Sequence, residues 1–308
     1  MGRWSADDIP DLSGQTAVVT GANSGLGYQT ALQLARHGAH VILACRDPGR
    51  GAEALSRLRA SAPGAPVELV RLDLSDLSSV RTFAAELTRA KEGLDILVNN
   101  AGVMAIPPQK TADGFEMQFG TNHLGHFALT GLLLPSLLAR RGARVVTVSS
   151  NAALFGRMRF DDLQAERRYS RWPAYAQSKL ANQLFMLELN RRAKKAGLDL
   201  VSVGSHPGYS ATNLGASTND SAFQTAMAIG DRLFAQSDAA GALPSLYAAC
   251  AADVVGGEYF GPDQLFGMRG RPTRISPVRA ARDEASARRL WEVSTDLTGV
   301  GFDALQPA

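Results

Sequence analysis

A glycine-rich turn between a buried strand and a helix is the feature that most limits how this chain can fold. The apolar run Thr16–Thr20 predicts a short strand, and the apolar spacing over Tyr28–His37 predicts a helix. The connecting turn carries Gly21, Gly25 and Gly27. Glycines permit a tight turn and close approach of the backbone to a pyrophosphate, which the free amides at a helix start attract. The segment therefore indicates a dinucleotide site, with a plain tight loop as the alternative.

Strands alternate with helices from Gln15 to Val203. This order predicts an α/β fold with a doubly wound parallel sheet, helices on both faces and ligands at the carboxyl ends of the strands. The predicted strands are 16–20, 40–45, 67–72, 94–99, 144–149 and 199–204, with a seventh near 258–266. With 308 residues and 45% apolar content, residues 1–308 can form a single Rossmann-type domain.

The end of the second predicted strand, His40–Ala44, indicates which nucleotide binds. A carboxylate there suits a free ribose 2′-hydroxyl, whereas a cation suits a 2′-phosphate. Cys45 and Arg46 occupy this end, and arginine can pair with a phosphate through two N–H groups. The pattern favours NADP(H) over NAD(H). Asp47 could offer a carboxylate to the ribose or cap the helix that begins near Pro48, and we favour the cap.

Tyr175 and Lys179 are a candidate proton-transfer pair. The surrounding apolar positions predict a helix, on which residues four apart share a face. A free phenol has a pKa of about 10, and a nearby ammonium group favours the phenolate, which lets a tyrosine act as a general acid or base. Taken alone, this spacing is more often an ordinary pair on a helix surface. The upstream glycine turn is what favours the catalytic interpretation.

The order of motifs resembles the classical short-chain dehydrogenase/reductase family. The matching residues are Thr20-Gly21-x-x-x-Gly25-x-Gly27, Asp73, Asn99-Asn100-Ala101-Gly102, Asn122, Ser150, Tyr175-x-x-x-Lys179 and Pro207-Gly208. Within that family the chain is most similar to retinol-dehydrogenase-like and related bacterial oxidoreductases. The residues that carry this closer similarity are 44–47, 121–127 and 175–182.

The resemblance implies a catalytic set of four residues. Tyr175 would exchange a proton with the substrate oxygen while a hydride moves to or from the nicotinamide. Ser150 would hydrogen-bond that oxygen. Lys179 would hold the nicotinamide ribose and lower the pKa of Tyr175. Asn122 would keep a water that connects Lys179 to solvent.

The resemblance also implies a cofactor-binding set, and we expect no metal. This set comprises Gly21, Asn23, Ser24, Gly25, Leu26, Gly27, Arg46, Asp73, Leu74, Asn100, Ala101, Gly102, Tyr175, Lys179, Pro207, Gly208 and Thr212. Local alternatives are a helix cap by Asp73 or Ser75, a strand end at 100–102 and a simple turn at 207–208.

Charge and cysteine content argue against several other classes of protein. The net charge is +3 with both signs interspersed, so no face indicates nucleic acid. Of the basic region Arg269–Arg289, we interpret residues 279–289 as a solvated helix surface, with a phosphate or membrane contact as the alternative. Cys45 and Cys250 form neither a disulfide framework nor a metal motif, so we expect a reducing cytoplasm. Residues 1–12 lack the apolar core of a secretory signal.

The most apolar segment, Leu124–Ala139, is too short and too interrupted to span a membrane. It fits a buried or subunit-facing helix better. In related proteins this helix and the Tyr175 helix often form the subunit interface, so we expect a homodimer or homotetramer.

Two segments, 151–172 and 209–240, are expected to face the substrate. Their large apolar or aromatic residues are Met158, Phe160, Tyr169, Trp172, Phe223, Met227, Ile229 and Phe234. Those of the second segment could cover an apolar ligand as a lid. The sequence thus predicts an NADP(H)-dependent oxidoreductase that interconverts an alcohol and a carbonyl on a lipophilic small molecule. The alternative is a non-catalytic nucleotide-sensing or scaffold protein on the same fold.

Overall fold

A single sheet of eight strands lies at the centre of the protein, in the order 3-2-1-4-5-6-7-8. The computed structural model describes residues 4–209 and 236–305. The strands are β1 (Thr16–Thr20), β2 (His40–Cys45), β3 (Val67–Arg71), β4 (Ile96–Asn99), β5 (Ala143–Val148), β6 (Leu200–Ser205), β7 (Tyr259–Gln264) and β8 (Arg269–Ile275). Strands β1 to β7 pair in parallel, and β8 pairs antiparallel with β7. The doubly wound fold is confirmed, with β8 as an edge strand beyond the seven predicted.

The helices cover both faces of this sheet. Within residues 4–209 and 236–305 they are α1 (Gly25–Arg36), α2 (Pro48–Ser61), α3 (Leu77–Ala90), α4 (Met117–Phe119), α5 (Gly125–Leu138), α6 (Arg171–Lys195), α7 (Asp238–Cys250) and α8 (Glu284–Thr298). A π-helical turn, Gly120–Leu124, joins α4 to α5, and a 3-10 turn, Asn151–Phe155, follows β5. Val18 and Val19 are neighbours in β1 and point to opposite faces, so they belong to two different cores. Both residues are fully buried, as expected for a central parallel strand.

The C-terminal segment covers part of α5 and α6. The ring of Trp291 in α8 lies 5.2 Å from that of Phe127 and 5.9 Å from that of Phe185, measured between centroids. Phe302 lies 4.9 Å from Phe127. Such clustered aromatic rings contribute strongly to a core. The two helices that we expect at a subunit interface therefore pack against their own chain along this face, and the oligomer stays a prediction.

Three further expectations concern the basic surface, the two thiols and a membrane-spanning helix. Arg279, Arg282 and Arg288 are exposed on a 3-10 turn and the start of α8, which agrees with a solvated surface. Cys45 and Cys250 are both buried and free. Within residues 4–209 and 236–305, no helix is both long enough and apolar enough to cross a membrane.

Candidate active site

The glycine turn after β1 needs glycine for both conformation and space. Gly21 has φ +65° and Gly25 has φ +56°, a region that side chains disfavour. A Cβ on Gly27 would overlap the carbonyl oxygen of Gly21 and lie 2.5 Å from Asn100 Nδ2. The start of α1 therefore packs directly on the turn and on the loop after β4, which leaves the backbone amides of the helix start beside the cleft.

Thr20 connects this turn to the loop after β4. Its Oγ1 lies 2.9 Å from the backbone nitrogens of both Asn100 and Ala101, which donate to it. The Asn100 side-chain amide donates in turn to the Thr20 carbonyl oxygen at 2.8 Å. These contacts bring Asn100 and Ala101 against the glycine turn, as the sequence predicts for parts of one cofactor site.

The end of β2 carries the residues on which the cofactor prediction rests. Asp47 Oδ1 accepts from the backbone N–H of Arg50 at 2.9 Å, so its predicted role as the cap of α2 is confirmed. Arg46 is exposed just beyond the strand. Burial raises the pKa of Cys45 to about 11, so this thiol stays neutral at pH 7. A second cation, Arg57, donates to the Asn23 carbonyl oxygen at 3.1 Å and was not identified from the sequence.

The loop after β3 corrects one local alternative. Asp73 Oδ1 accepts from the backbone N–H and the hydroxyl of Ser75, at 2.9 and 2.6 Å. Helix α3 is capped by Asp76, so neither Asp73 nor Ser75 is its cap. Leu74 is buried, and a Cβ on Gly125 would overlap its carbonyl oxygen. The close contact holds this loop against the start of α5.

Tyr175, Lys179 and Ser150 meet at the carboxyl end of β5. Ser150 is the N-cap of the 3-10 turn, where its Oγ accepts from the Ala152 N–H at 3.2 Å, and it also hydrogen-bonds the Tyr175 side chain. Lys179 Nζ donates to the Val148 carbonyl oxygen at 3.2 Å and lies 5.8 Å from the centroid of the Tyr175 ring. Three of the four predicted catalytic side chains are thus in one place.

The protonation states differ from one expectation. Burial raises the pKa of Tyr175 to about 12, and its hydrogen bond with Ser150 only partly offsets this. The expected lowering of this pKa by Lys179 is therefore wrong, because burial, which disfavours the charged phenolate, is the largest influence on it. Burial also lowers the pKa of Lys179 to about 8. At neutral pH the tyrosine is a protonated phenol and the lysine is mostly charged.

Asn122 is held firmly in the π-helical turn. Its Oδ1 accepts from the Val103 N–H at 2.8 Å, and its Nδ2 donates to the Val103 carbonyl oxygen and to Ser178 Oγ, both at 2.9 Å. A Cβ on Gly102 would lie 3.0 Å from Asn122 Oδ1 and 3.4 Å from Lys179 Nζ. Asn122 therefore adjoins Lys179, while its role in holding a water stays a prediction.

His126 links the catalytic and cofactor regions and was not identified from the sequence. Its Nδ1 lies 3.0 Å from the Asn122 carbonyl oxygen, and its Nε2 lies 2.9 Å from Thr20 Oγ1. Because a carbonyl can only accept, we assign the hydrogen to Nδ1, and Nε2 then accepts from the Thr20 hydroxyl. Burial lowers the pKa of His126 to about 4, so the ring is neutral at pH 7. The available signal was its position four residues after Asn122 on one helix face.

A cavity of about 320 Å³ joins the two predicted sets of residues. Its lining includes Leu26, Asn100, Gly102, Ser150, Tyr175, Lys179, Pro207 and Gly208. Gly208 has φ +71°, and a Cβ there would overlap the Met268 carbonyl oxygen, so glycine is required where this wall meets β8. Arg46 and Asp73 do not line this cavity, so their roles toward a cofactor stay predictions.

Some predicted residues lie elsewhere. In the 151–172 segment, Asn151, Ala152 and Trp172 line the cavity, whereas the Tyr169 hydroxyl donates to the Ile106 carbonyl oxygen at 2.8 Å. Phe160 lies under the guanidinium of Arg289, away from the cavity lining. Thr212, Phe223, Met227, Ile229 and Phe234 lie outside the described residues. The described part of the chain contains no cluster of three or more side chains suited to a metal ion.

Comparison with known proteins agrees with this geometry. The short chain dehydrogenase family matches residues 15–222, and the chain belongs to this family. Human Retinol dehydrogenase 13 is 43% identical over 295 residues, which cover 94% of this chain and 86% of the relative. The resemblance to retinol dehydrogenases is therefore confirmed.

Two solved structures are also similar. A crystal structure of an uncharacterized protein from Mycobacterium Paratuberculosis has a TM-score of 0.81 and 46% identity, covering 97% of this chain and 98% of its own. A protein from Beutenbergia cavernae, described as an NAD(P) dependent gluconate 5-dehydrogenase with bound NADP at low occupancy, has a TM-score of 0.65 and 29% identity. That match covers 81% of this chain and 95% of the other.

Proposed function

We propose that this protein is an NADP(H)-dependent oxidoreductase that interconverts an alcohol and a carbonyl on a lipophilic small molecule. Its family and its retinol dehydrogenase relatives support oxidoreduction at alcohol or carbonyl groups. The observation that carries the proposal is the convergence of Tyr175, Ser150 and Lys179 on one cavity that the predicted cofactor loops also line.

The protein groups suit proton donation during carbonyl reduction. A bound nicotinamide dinucleotide supplies the hydride. Tyr175 carries its proton at neutral pH and can donate it to the substrate oxygen, on which negative charge develops. Ser150 Oγ adjoins the Tyr175 hydroxyl and can hydrogen-bond the same oxygen. Lys179, next to Asn122 and Gly102, would hold the nicotinamide ribose.

The cofactor site fits a dinucleotide phosphate. Gly27 keeps side chains out of the turn, and the amides at the start of α1 can receive the pyrophosphate. Arg46 stands exposed beyond β2 for a 2′-phosphate, and Asp47 is engaged as a helix cap. The NADP bound to the Beutenbergia cavernae relative supports this choice of cofactor.

Apolar walls support a lipophilic substrate. The cavity is lined by Val103, Met104, Trp172 and Met268 in addition to its polar groups. Trp172 remains 43% exposed at the mouth, where it offers an apolar ring to an entering molecule. The names of the retinol dehydrogenase relatives are consistent with such a substrate. The proposal also includes that residues 1–308 form a single domain, that the protein acts in a reducing cytoplasm and that it forms a homo-oligomer.

A cofactor-oxidation screen tests the proposal. Purified protein would be mixed with NADPH or NADH and with aldehydes, ketones, quinones and retinoids, and absorbance at the reduced nicotinamide band followed. We expect oxidation of NADPH with at least one apolar carbonyl compound. Tight NADPH binding without turnover of any compound would instead support the non-catalytic alternative.

A further inference from the structure

A second cavity of about 300 Å³ lies beside the catalytic one. The two cavities share Ser150 and Asn151 in their linings. Asn151 Nδ2 donates to the Gly267 carbonyl oxygen at 3.3 Å, a long hydrogen bond that connects the 3-10 turn to the β7–β8 hairpin. Ligand pockets commonly measure about 300–1,000 Å³, so each cavity alone is at the small end of that range.

The second cavity contains a buried hydrogen-bond donor. His206 is 1% exposed, and its Nδ1 accepts from the Gly208 N–H at 3.1 Å. In a neutral ring the hydrogen is then on Nε2. Burial lowers the pKa of His206 to about 4, so the ring is neutral at pH 7. Gly261 and Gly267 border Nε2 and have no side chains to cover it.

Because His206 lines this cavity, its Nε2–H can donate a hydrogen bond to a ligand oxygen that lies there. The rest of the lining is mixed. Its apolar residues include Leu154, Phe266, Ile275 and Val278, and its polar residues include Gln183, Asp263, Thr273 and Ser276. Leu154 is 65% exposed and Phe266 is fully exposed, so the opening of this cavity presents apolar side chains to solvent. Together these features suit an apolar chain with one oxygen acceptor.

We propose that the second cavity is a distal subsite for an elongated substrate. The reacting carbonyl would lie at Ser150 and Tyr175, and an oxygen at the far end would accept from His206 Nε2–H. Asn151 stands at the boundary between the two cavities and would set how readily a long substrate spans them. The inference rests on the proposed function and narrows its substrate to an extended, mostly apolar molecule with a second oxygen.

Three aldehydes and three variants test the subsite. The aldehydes are hexanal, dodecanal and 11-oxododecanal, which adds a ketone oxygen near the far end. Val278→Phe would fill the second cavity and keep the Val278 backbone N–H that donates to Gln183 at 3.0 Å. Asn151→Ala would remove the boundary hydrogen bond. Val255→Phe is the matched control, because Val255 is exposed and lines neither cavity.

In the wild type, kcat/KM should be about three- to tenfold higher for 11-oxododecanal than for dodecanal, as one hydrogen bond allows. Val278→Phe should lower kcat/KM for 11-oxododecanal at least about tenfold and leave hexanal and NADPH binding unchanged. Val255→Phe should match the wild type. Asn151→Ala should raise the ratio of dodecanal to hexanal.

Equal kcat/KM for the two long aldehydes, or equal effects of Val278→Phe on hexanal and 11-oxododecanal, would overturn the subsite. If the wild type reduces no aldehyde, the proposed function fails separately. Calorimetric binding of 2-dodecanone then decides the subsite. Binding that is lost in Val278→Phe and kept in Val255→Phe supports it, and any other pattern contradicts it.

Discussion

Replacing His126 should disturb the cofactor site through Thr20. His126→Phe keeps an aromatic ring in this fully packed position and removes both hydrogen bonds, to the Asn122 carbonyl oxygen and to Thr20 Oγ1. Each buried hydrogen bond contributes about 0.5–1.5 kcal/mol net. The Thr20 hydroxyl can turn to the Val98 carbonyl oxygen at 3.3 Å, which recovers part of the loss. We therefore expect the free energy of unfolding to fall by about 1–2 kcal/mol.

The cofactor effect follows from the direction of the Thr20 hydroxyl. When His126 Nε2 accepts the hydroxyl hydrogen, the oxygen lone pairs are available to the amides of Asn100 and Ala101. A changed hydroxyl direction weakens these contacts and lets the loop move away from the glycine turn. A loss of about 1 kcal/mol corresponds to about fivefold weaker NADPH binding.

Urea unfolding and fluorescence titration with NADPH measure the two effects. His123→Phe is a matched control, because His123 is equally buried on the preceding turn and bonds Ser294 in α8 at 2.9 Å. It should cost stability and leave NADPH affinity unchanged. The reasoning is refuted if His126→Phe loses stability and binds NADPH as tightly as the wild type, or if both variants weaken NADPH equally.

Three other predictions concern the cofactor site. In titrations, the wild type should bind NADPH about ten- to a hundredfold more tightly than NADH, and Arg46→Ala should erase most of this difference. Equal affinities of the wild type for the two cofactors would contradict the assignment of Arg46 to the 2′-phosphate. Gly27→Ala should weaken NADPH binding at least about tenfold in the same assay, because the added Cβ would overlap Gly21. This loss is expected even though alanine favours a helix over glycine by about 1 kcal/mol. Unchanged affinity would contradict the role of the glycine turn in cofactor binding. With saturating aldehyde, kcat/KM for NADPH should fall as pH rises through about 8, where Lys179 in the free protein loses its proton, and Lys179→Met should lack this step.

The fold could be predicted where burial makes the sequence regular. Strands β1, β2 and β5 are mostly apolar because both faces of a central parallel strand are buried. Strand β8 was missed because Arg269–Ile275 is polar and contains Pro272. Proline is tolerated there since an edge strand does not need every backbone donor. Its tertiary pairing with β7, rather than its own pattern, makes it a strand.

The site could be predicted only where its residues occur at fixed spacings. Tyr175 and Lys179 are one helical turn apart, and the glycines of the turn follow a strand directly. The contact of His126 with Thr20 joins residues 106 positions apart, and the contact of Asn151 with Gly267 joins residues 116 positions apart. Neither contact produces a recognisable pattern in the local sequence. The direction in which the pKa of Tyr175 is shifted also depends on its burial by the whole fold.

Turnover by Tyr175→Phe is the most direct test of the proposed catalytic role. Phenylalanine keeps the ring, which is 6% exposed in α6, and removes only the hydroxyl that hydrogen-bonds Ser150. With the carbonyl compound that the wild type reduces best, turnover should fall at least about a hundredfold while the NADPH dissociation constant stays within about twofold. A variant that retained near wild-type turnover would contradict Tyr175 as the proton donor, and one that lost NADPH binding would show a different role for this side chain.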